Sequence, residues 1–470
     1  MNVIWITADT FRQDHVHAYG KRPIHTPALD NLASKSMRFN RHYAAGFPTM
    51  PTRADHATGR WTMSFMGWEP LPDGIDTAAM LLSAEGTHTA AMVDTPFYLR
   101  AGMNYDRGYR TFLSFPGQIG GSESVDAREA WRYEADRNVA QTMVGAMRWL
   151  ERHYKEDFFL YVDTWDPHEP WDAPNYYTEL YMPDYDGEVV APLYGRWQDS
   201  PQLTEKKVGK AHATYCGEIT MVDAWIGRLL RQVEDMGLMD NTAIIFTSDH
   251  GFYFGEHGGM FGKMMVATLP DGSVPPAGIG GVIPGAATPT VFGGRRDAGW
   301  GLSPLYEEVS LIPLIIYVPG LPPGTYDGLT SAIDVMPTVL DIKGHTIPEW
   351  VQGISLLPKV NNPLSNGRQF TVTTMPFANP GDPVHAVDNI RRNLYSAPIT
   401  TITANNWSLL YSVDEGLSEL FNLSNDPGQN VNVITDNETI AKDLHKYLVA
   451  FMRDTNLPDH LIKPRLDLRI

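Results

Sequence analysis

Thr49 stands between two prolines in the stretch Phe47-Pro48-Thr49-Met50-Pro51-Thr52-Arg53, with Thr58-Gly59-Arg60 close behind. Proline fixes φ and removes a backbone donor, so a hydroxyl in such a turn is aimed rather than free to swing. Pro51 suits the first turn of a helix, and a helix starting there would bring Arg53 to the Thr49 side. A hydroxyl beside a guanidinium at a helix N-terminus fits attack on a phosphate or sulfate ester. Taken alone, the stretch also reads as a Pro-bounded turn with a surface arginine.

Two further segments add ligands. Val3 to Thr7 is an apolar, β-branched run that leads into Asp9, and Thr242 to Thr247 leads into Ser248-Asp249-His250-Gly251. Ligands of open α/β sheets gather beyond the carboxyl ends of the strands. Asp9, Asp249 and His250 offer two hard oxygens and one imidazole nitrogen. That set favours one Mn²⁺ or Zn²⁺, with Fe²⁺ and Ca²⁺ as alternatives; Ca²⁺ prefers an all-oxygen shell. With the Thr49 oxygen as a further metal ligand, the ion would stabilise an alkoxide that free threonine does not offer near neutral pH. Arg53 would hold the nucleophile or the ester oxygens. His168, in Asp166-Pro167-His168-Glu169-Pro170, and Lys263 are candidates to protonate the leaving group or neutralise its charge. One by one, Asp9 could be a helix cap and His168 a solvated loop residue.

The elements that would position these groups alternate. Helical patterning is predicted over Thr26–Ala33 with Thr26 as its cap, Thr77–Gly86, Ala135–Tyr154 and Ala213–Met236, and a helix opens near Asp334. Strands are predicted at Val3–Thr7, Arg38–Tyr43, Thr89–Val93, Phe158–Val162, Thr242–Thr247 and Leu311–Tyr317. The Phe158–Val162 strand runs into Asp163, and the Thr89–Val93 strand into Asp94. After about residue 360 the pattern turns to short strands (Phe370–Thr374, Leu394–Ser396, Thr400–Ile402, Trp407–Ser412, Glu419–Asn422) and a last helix over Thr439–Arg453. This predicts an α/β catalytic domain over 1–360 and a smaller antiparallel subdomain over 361–470. Residues 264–304 are rich in Gly, Pro and Ala and too long for an ordinary connection, so they read as a lid-like insertion.

Composition narrows the function classes. The chain has 470 residues, is 43% hydrophobic and 20% charged, and carries a formal net charge of -18. The charge argues against nucleic acid as the main partner and leaves a small anionic ester as the expected one. No basic leader or apolar run of membrane length is visible, so no membrane partner is expected. Cys216 is the only cysteine. It reads as packing within its helix and fits a reducing, cytoplasmic compartment. A homo-oligomer is compatible with all of this.

The chain resembles the sulfatase family of the alkaline phosphatase superfamily over nearly its whole length. The matching pieces, in order, are Asp9-Thr10-Phe11-Arg12, Thr49-Met50-Pro51-Thr52-Arg53 with Thr58-Gly59-Arg60, and the His168-x-Pro170 turn. Phe246-Thr247-Ser248-Asp249-His250-Gly251, Gly262-Lys263, Asp334-Val335-Met336-Pro337-Thr338, Glu419-Leu420-Phe421-Asn422-Leu423 and Asn425-Asp426-Pro427 follow. The resemblance implies an alkaline-phosphatase-like mixed sheet sandwiched by helices, plus a small C-terminal four-stranded sheet.

The departures bear on the chemistry. Sulfatases place at the Thr49 position a Cys or Ser that becomes formylglycine. Threonine has a second substituent on Cβ, so its oxidation could give only a ketone and not that aldehyde. Threonine nucleophiles in the superfamily belong to phosphodiesterases and some phosphatases. Thr10 replaces a second metal-binding Asp, His250 a frequent Asn, and Asp94-Thr95-Pro96-Phe97-Tyr98 the sulfate-gripping segment. Tyr215-Cys216-Gly217 with Asp223 is similar to the phosphonate monoester hydrolase and phosphodiesterase branch. The resulting expectation is a single-metal phosphodiester or phosphonate monoester hydrolase with a covalent Thr49 intermediate. A sulfuric ester hydrolase and a catalytically degenerate binding protein are the alternatives.

Overall fold

A computed structural model of the chain describes residues 1–95, 101–115, 117, 131–264, 303–387, 390–393 and 398–470. Pro96 to Tyr98, the strand expected at Leu394–Ser396, and the expected lid between Met264 and Ser303 lie outside the described residues.

An eight-stranded mixed sheet organises the molecule. Its strands run in the order Gly324–Tyr326, Met37–Phe39, Leu314–Tyr317, Thr242–Ser248, Asn2–Ala8, Phe158–Thr164, His88–Val93 and Thr111–Ser114. Asn2–Ala8 lies parallel to both of its neighbours, and Leu314–Tyr317 is antiparallel to both of its own. Side chains of a strand alternate between faces, and the two cores follow that alternation. Val3, Trp5, Phe159, Tyr161, Ala243 and Ile245 pack on one face with Met50, Ala54, Leu82, Val335 and Val339. Ile4, Ile6, Leu160, Val162, Ile244 and Phe246 pack on the other with Leu29, Val139, Met143, Val222 and Ile226. Helices thus cover both faces, as the continuous apolar runs of these strands require.

A separate antiparallel sheet joins Phe370–Thr374, Thr400–Ala404, Trp407–Tyr411 and Glu419–Asn422 in that order. Val372, Ile402, Leu409 and Leu420 pack against Leu444, Leu448 and Phe451 of the helix Glu438–Asp454. Trp61, Met63, Ile312 and Ile333 from the larger part enter the same core. Among the described residues, no helix is long and apolar enough to cross a membrane.

Several boundaries differ from the sequence reading. The long helix spans Glu205–Asp235 and not Ala213–Met236. Its first two turns carry Lys206, Lys207 and Lys210 and little apolar signal; Thr204 caps it by accepting from the Lys207 N–H. The strand expected from Leu311 begins at Leu314, after Pro313, which has no N–H to give a ladder. Arg38–Tyr43 divides into Met37–Phe39 and His42–Tyr43, which join different sheets. Thr26 does not cap the helix Pro27–Ser34 with its side chain. The Asp223 carboxylate does so instead, accepting from the Ala28 and Leu29 N–H groups at 3.0 and 2.8 Å. A cap donated from another element leaves no local signature in the sequence.

Candidate functional site

Register places the first two carboxylates. Ala8 is paired with Ser248 in the parallel ladder, so the next residues, Asp9 and Asp249, leave the sheet side by side. Both are buried. The chain turns sharply after Asp9, with Thr10 at φ 57°, a conformation that costs a β-branched residue energy. Several bonds hold the turn. The Thr10 hydroxyl donates to Asp9 Oδ1 at 2.6 Å, and the Thr10 N–H donates to Asp249 Oδ1 at 2.9 Å. The Tyr215 hydroxyl donates to the Thr10 carbonyl at 2.7 Å and accepts from the Arg12 N–H at 3.0 Å. Tyr215 therefore braces the Asp9 turn from the long helix.

His250 follows, oriented by its backbone. Its Nδ1 lies 3.1 Å from the Gly251 carbonyl, which fixes the proton on Nδ1 and leaves a lone pair on Nε2. Gly251 is required here, because a Cβ would lie 2.0 Å from the Glu308 carbonyl oxygen. Burial lowers the His250 pKa to about 3, so the ring is neutral near pH 7.

Thr49 is the first residue of the helix Thr49–Thr58, which begins two residues before the expected Pro51. Its hydroxyl lies 3.3 Å from His250 Nε2. Asp55 sits one and a half turns later, and its carboxylate accepts from the Gly46 N–H and from the Thr62 N–H and hydroxyl. These bonds tie the approach to Thr49 to the far end of its helix.

Arg53 is fully buried and committed to carboxylates. It meets Asp163 through two bonds, Nε to Oδ2 at 2.9 Å and Nη2 to Oδ1 at 2.8 Å. Its Nη1 lies 2.5 Å from Asp249 Oδ2 and 2.9 Å from Asp9 Oδ2. It also donates from Nη1 to the Thr49 carbonyl oxygen at 3.3 Å. Arg53 thus gathers three strand-end carboxylates from the helix that begins at Thr49.

Asp163 was not among the sequence candidates. It is the penultimate residue of the Phe158–Thr164 strand, in register with Thr7 of the strand that leads into Asp9, and Thr95 Oγ1 donates to it at 2.7 Å. A buried strand ending in Asp was the available signal. Only the pairing of that strand with Asn2–Ala8 brings its carboxylate to Arg53.

Burial raises the Asp9 pKa, the Asp249 charge adds to the rise, and Arg53 only partly offsets it. Asp249 goes the other way: against the push of burial, His250, then Arg53, and the Thr10 N–H hold it below its ordinary value. Two adjacent buried carboxylates with one arginine between them call for further positive charge. Asp9 Oδ2 is buried and, among the described residues, receives no well-aligned hydrogen bond, despite the nearby Arg53 Nη1. Ligand atoms of Asp9, Asp249 and His250 all lie within 4.8 Å of one another. This donor set fits a divalent cation.

His168 and Lys263 meet on another side of the site. Lys263 Nζ hydrogen-bonds His168 Nε2, and His168 Nδ1 donates to the Glu169 carbonyl at 2.7 Å. Burial and then the Lys263 charge push the His168 pKa well below its ordinary value, so the His168 ring is neutral. The Lys263 charge also acts on Asp9 and on His250. The Glu169 carboxyl is buried 3.8 Å from Lys263 Nζ and 3.3 Å from His168 Nδ1, and among the described residues neither of its oxygens receives a well-aligned hydrogen bond. Burial raises its pKa from 4.5 to about 7, with Lys263 opposing.

The folded chain therefore holds the Glu169 proton more tightly than the unfolded one. Stability contributed by that proton is full below about pH 4.5 and is lost as pH rises through about 7. Glu169→Gln should remove a pH slope of up to about 3 kcal/mol. Urea midpoints at pH 5 and pH 8 measure this; an unchanged slope in the variant would mean that Lys263 keeps Glu169 ionised in the fold.

Comparison with known proteins adds to this geometry. The sulfatase family profile matches residues 1–345, and the profile of the N-sulphoglucosamine sulphohydrolase C-terminal region matches residues 302–454. An arylsulfatase of Clostridium perfringens is 24% identical over 499 aligned residues, covering 93% of this chain and 91% of that protein. The multifunctional alkaline phosphatase superfamily protein PehA of Trinickia caryophylli is 24% identical, covering 76% of each. Among solved structures, the phosphonate monoester hydrolase of Agrobacterium radiobacter superposes with a TM-score of 0.72 at 20% identity, covering 97% of this chain and 96% of that one. The phosphonate monoester hydrolase SpPMH from Silicibacter pomeroyi gives 0.71 at 20% identity, covering 98% and 96%.

Proposed function

The chain belongs to the sulfatase family of the alkaline phosphatase superfamily and is a hydrolase of that family, and from that premise we propose that it cleaves phosphodiesters or phosphonate monoesters through a covalent bond to Thr49. The observation that carries this reading is the residue itself: a threonine hydroxyl at the start of the helix Thr49–Thr58, 3.3 Å from His250 Nε2.

The steps follow from the groups around it. The Thr49 hydroxyl gives its proton to solvent as its oxygen attacks phosphorus in line with the leaving alcohol. A P–O bond to Thr49 forms as the P–O bond to the leaving group breaks. The departing oxygen takes a proton from the Lys263–His168 pair, where the proton is already held for donation. Water then attacks the same phosphorus and releases the Thr49 hydroxyl. Formylglycine chemistry expels sulfate by breaking a bond within its own hydrated aldehyde, and threonine has no such route. Each half of the Thr49 cycle must be a displacement at the central atom.

Asp9, Asp249 and His250 would hold a divalent ion, Mn²⁺ or Zn²⁺ by donor type, with Thr49 adjoining it. Such an ion supplies Lewis acidity, lowering the pKa of a nearby hydroxyl and offsetting negative charge on the ester oxygens. Arg53 acts as a positioning group, holding Asp9, Asp163 and Asp249 in register. Dialysis against a chelator should lower turnover by about 1,000-fold or more, with recovery on adding Mn²⁺ or Zn²⁺. Full activity in verified metal-free protein would contradict this.

Initial rates on an aryl phosphodiester, an aryl phosphonate monoester and an aryl sulfate test the proposal. Phosphorus esters should be turned over faster; turnover of the sulfate alone would overturn it. The second reading, a sulfuric ester hydrolase, draws on the arylsulfatase of Clostridium perfringens, which aligns over 91% of its length.

A further inference from the structure

A second group of soft ligands lies behind the Asp9 turn. His15 belongs to the short turn Gln13–His15, and His212 and Cys216 are four residues apart on the helix Glu205–Asp235, so they share a face. His15 Nε2 is 2.8 Å from His212 Nε2, and Cys216 Sγ is 3.8 Å from the same nitrogen. Ligand atoms of the three residues all lie within 4.8 Å of one another.

Asp14 orients this group. Its Oδ1 accepts from His15 Nδ1 at 2.7 Å, which turns the unprotonated Nε2 of His15 toward His212. A carboxylate on the far nitrogen is the usual support of a metal-binding imidazole. Arg12 and Arg22 hold Asp14 in turn, at 2.8 and 2.6 Å. Two imidazole nitrogens that face one point share a single proton in the metal-free chain, and a cation can take that proton's place.

The spacings suit a tetrahedral ion. At Zn–N of about 2.0–2.1 Å and Zn–S of about 2.3 Å, tetrahedral geometry sets N···N near ~3.3 Å and N···S near ~3.6 Å. The observed 2.8 and 3.8 Å therefore need to change by about half an ångström or less. His15 and Cys216 are buried, whereas His212 is half-buried and provides a way in.

We infer that His15, His212 and Cys216 form a second divalent-metal site, of the two-imidazole, one-thiolate type that takes Zn²⁺, separate from the Asp9–Asp249–His250 set. On binding, His212 carries its proton on Nδ1 and the Cys216 thiol gives one proton to solvent. The ion ties the turn that follows Asp9 to the helix whose Tyr215 braces Thr10, so its role is to hold the catalytic turn rather than to act on substrate.

Cobalt titration of the full-length protein tests this, because Cys216 is the only thiol in the chain. A thiolate-to-Co²⁺ absorption band, with the amplitude of one thiolate-bound Co²⁺ per chain, saturating by two Co²⁺ per chain and abolished by added Zn²⁺, is expected. Cys216→Ser, His15→Ala and His212→Ala should each lose the band, whereas Asp249→Asn, in the other site, should keep it. No band in the wild-type protein at saturating Co²⁺ would overturn the inference, as would a band that survives both histidine substitutions. The wild-type result stands even where a variant fails to fold. The reading does not depend on turnover, so a chain inactive on every ester would still show the band.

Discussion

Thr49→Ala is expected to lower turnover of an aryl phosphodiester by about 10,000-fold or more, the scale seen when an enzyme loses its nucleophile. The substitution removes the hydroxyl that lies 3.3 Å from His250 Nε2. Alanine is a better helix former than threonine, so the first turn of Thr49–Thr58 persists and folded stability should change by less than about 1 kcal/mol. Thr49→Ser keeps an oxygen at that point and should retain measurable turnover. The pair of variants separates a chemical role from a structural one: loss in alanine with partial retention in serine supports the nucleophile. Equal activity in wild type and Thr49→Ala, measured at the same metal occupancy, would remove Thr49 from the mechanism.

Arg53→Ala should be the most destabilising single change at the site. The guanidinium is fully buried and meets Asp163, Asp249 and Asp9, each of them also fully buried. Removing one partner of a buried ionic group leaves charge without compensation and costs about 3–5 kcal/mol. Arg53→Lys keeps one charge but cannot reproduce the two-bond contact with Asp163, so it should fall between wild type and alanine. Added divalent metal should stabilise Arg53→Ala more than wild type, because Asp9 and Asp249 then lack their fixed cation. Denaturant midpoints with and without metal measure both effects; a loss under about 1 kcal/mol in alanine would show that these carboxylates are not held by Arg53.

Much of the frame was readable because buried parallel strands announce themselves. The Asn2–Ala8 and Thr242–Ser248 runs are apolar to their last turn, and each stops at an ionisable residue, so Asp9, Asp249 and His250 could be picked out one by one. Fold class followed from the same alternation of runs. What sequence could not carry was lateral register. Asp163 and Asp94 end strands in the same way, yet only pairing with Asn2–Ala8 puts Asp163 against Arg53, while Asp94 turns to the Thr142 and Thr164 hydroxyls. The contacts of Arg53 were hidden for that reason, since its guanidinium is shared among residues more than a hundred positions apart. Local signals misled in two places. Thr26 precedes Pro27 as a cap residue should, but Asp223 takes the role from another helix. The polar first turns of Glu205–Asp235 hid the true start of that helix, and with it His212.

Glu169 shows a different kind of gap. Its neighbours in sequence mark a stiff loop, but its raised pKa arises from burial in the packed site, which Lys263, 94 positions away, only partly offsets. Charge state is a property of the packed site, and composition does not report it.

Peptide mass spectrometry of protein acid-quenched during turnover of an aryl phosphonate monoester tests the central claim most directly. A covalent mechanism predicts that the peptide containing Thr49 gains the mass of the phosphonyl group, that fragmentation places it on Thr49, and that Thr49→Ala shows neither the adduct nor turnover. An unmodified Thr49 peptide under steady turnover, together with undiminished activity in Thr49→Ala, would contradict it.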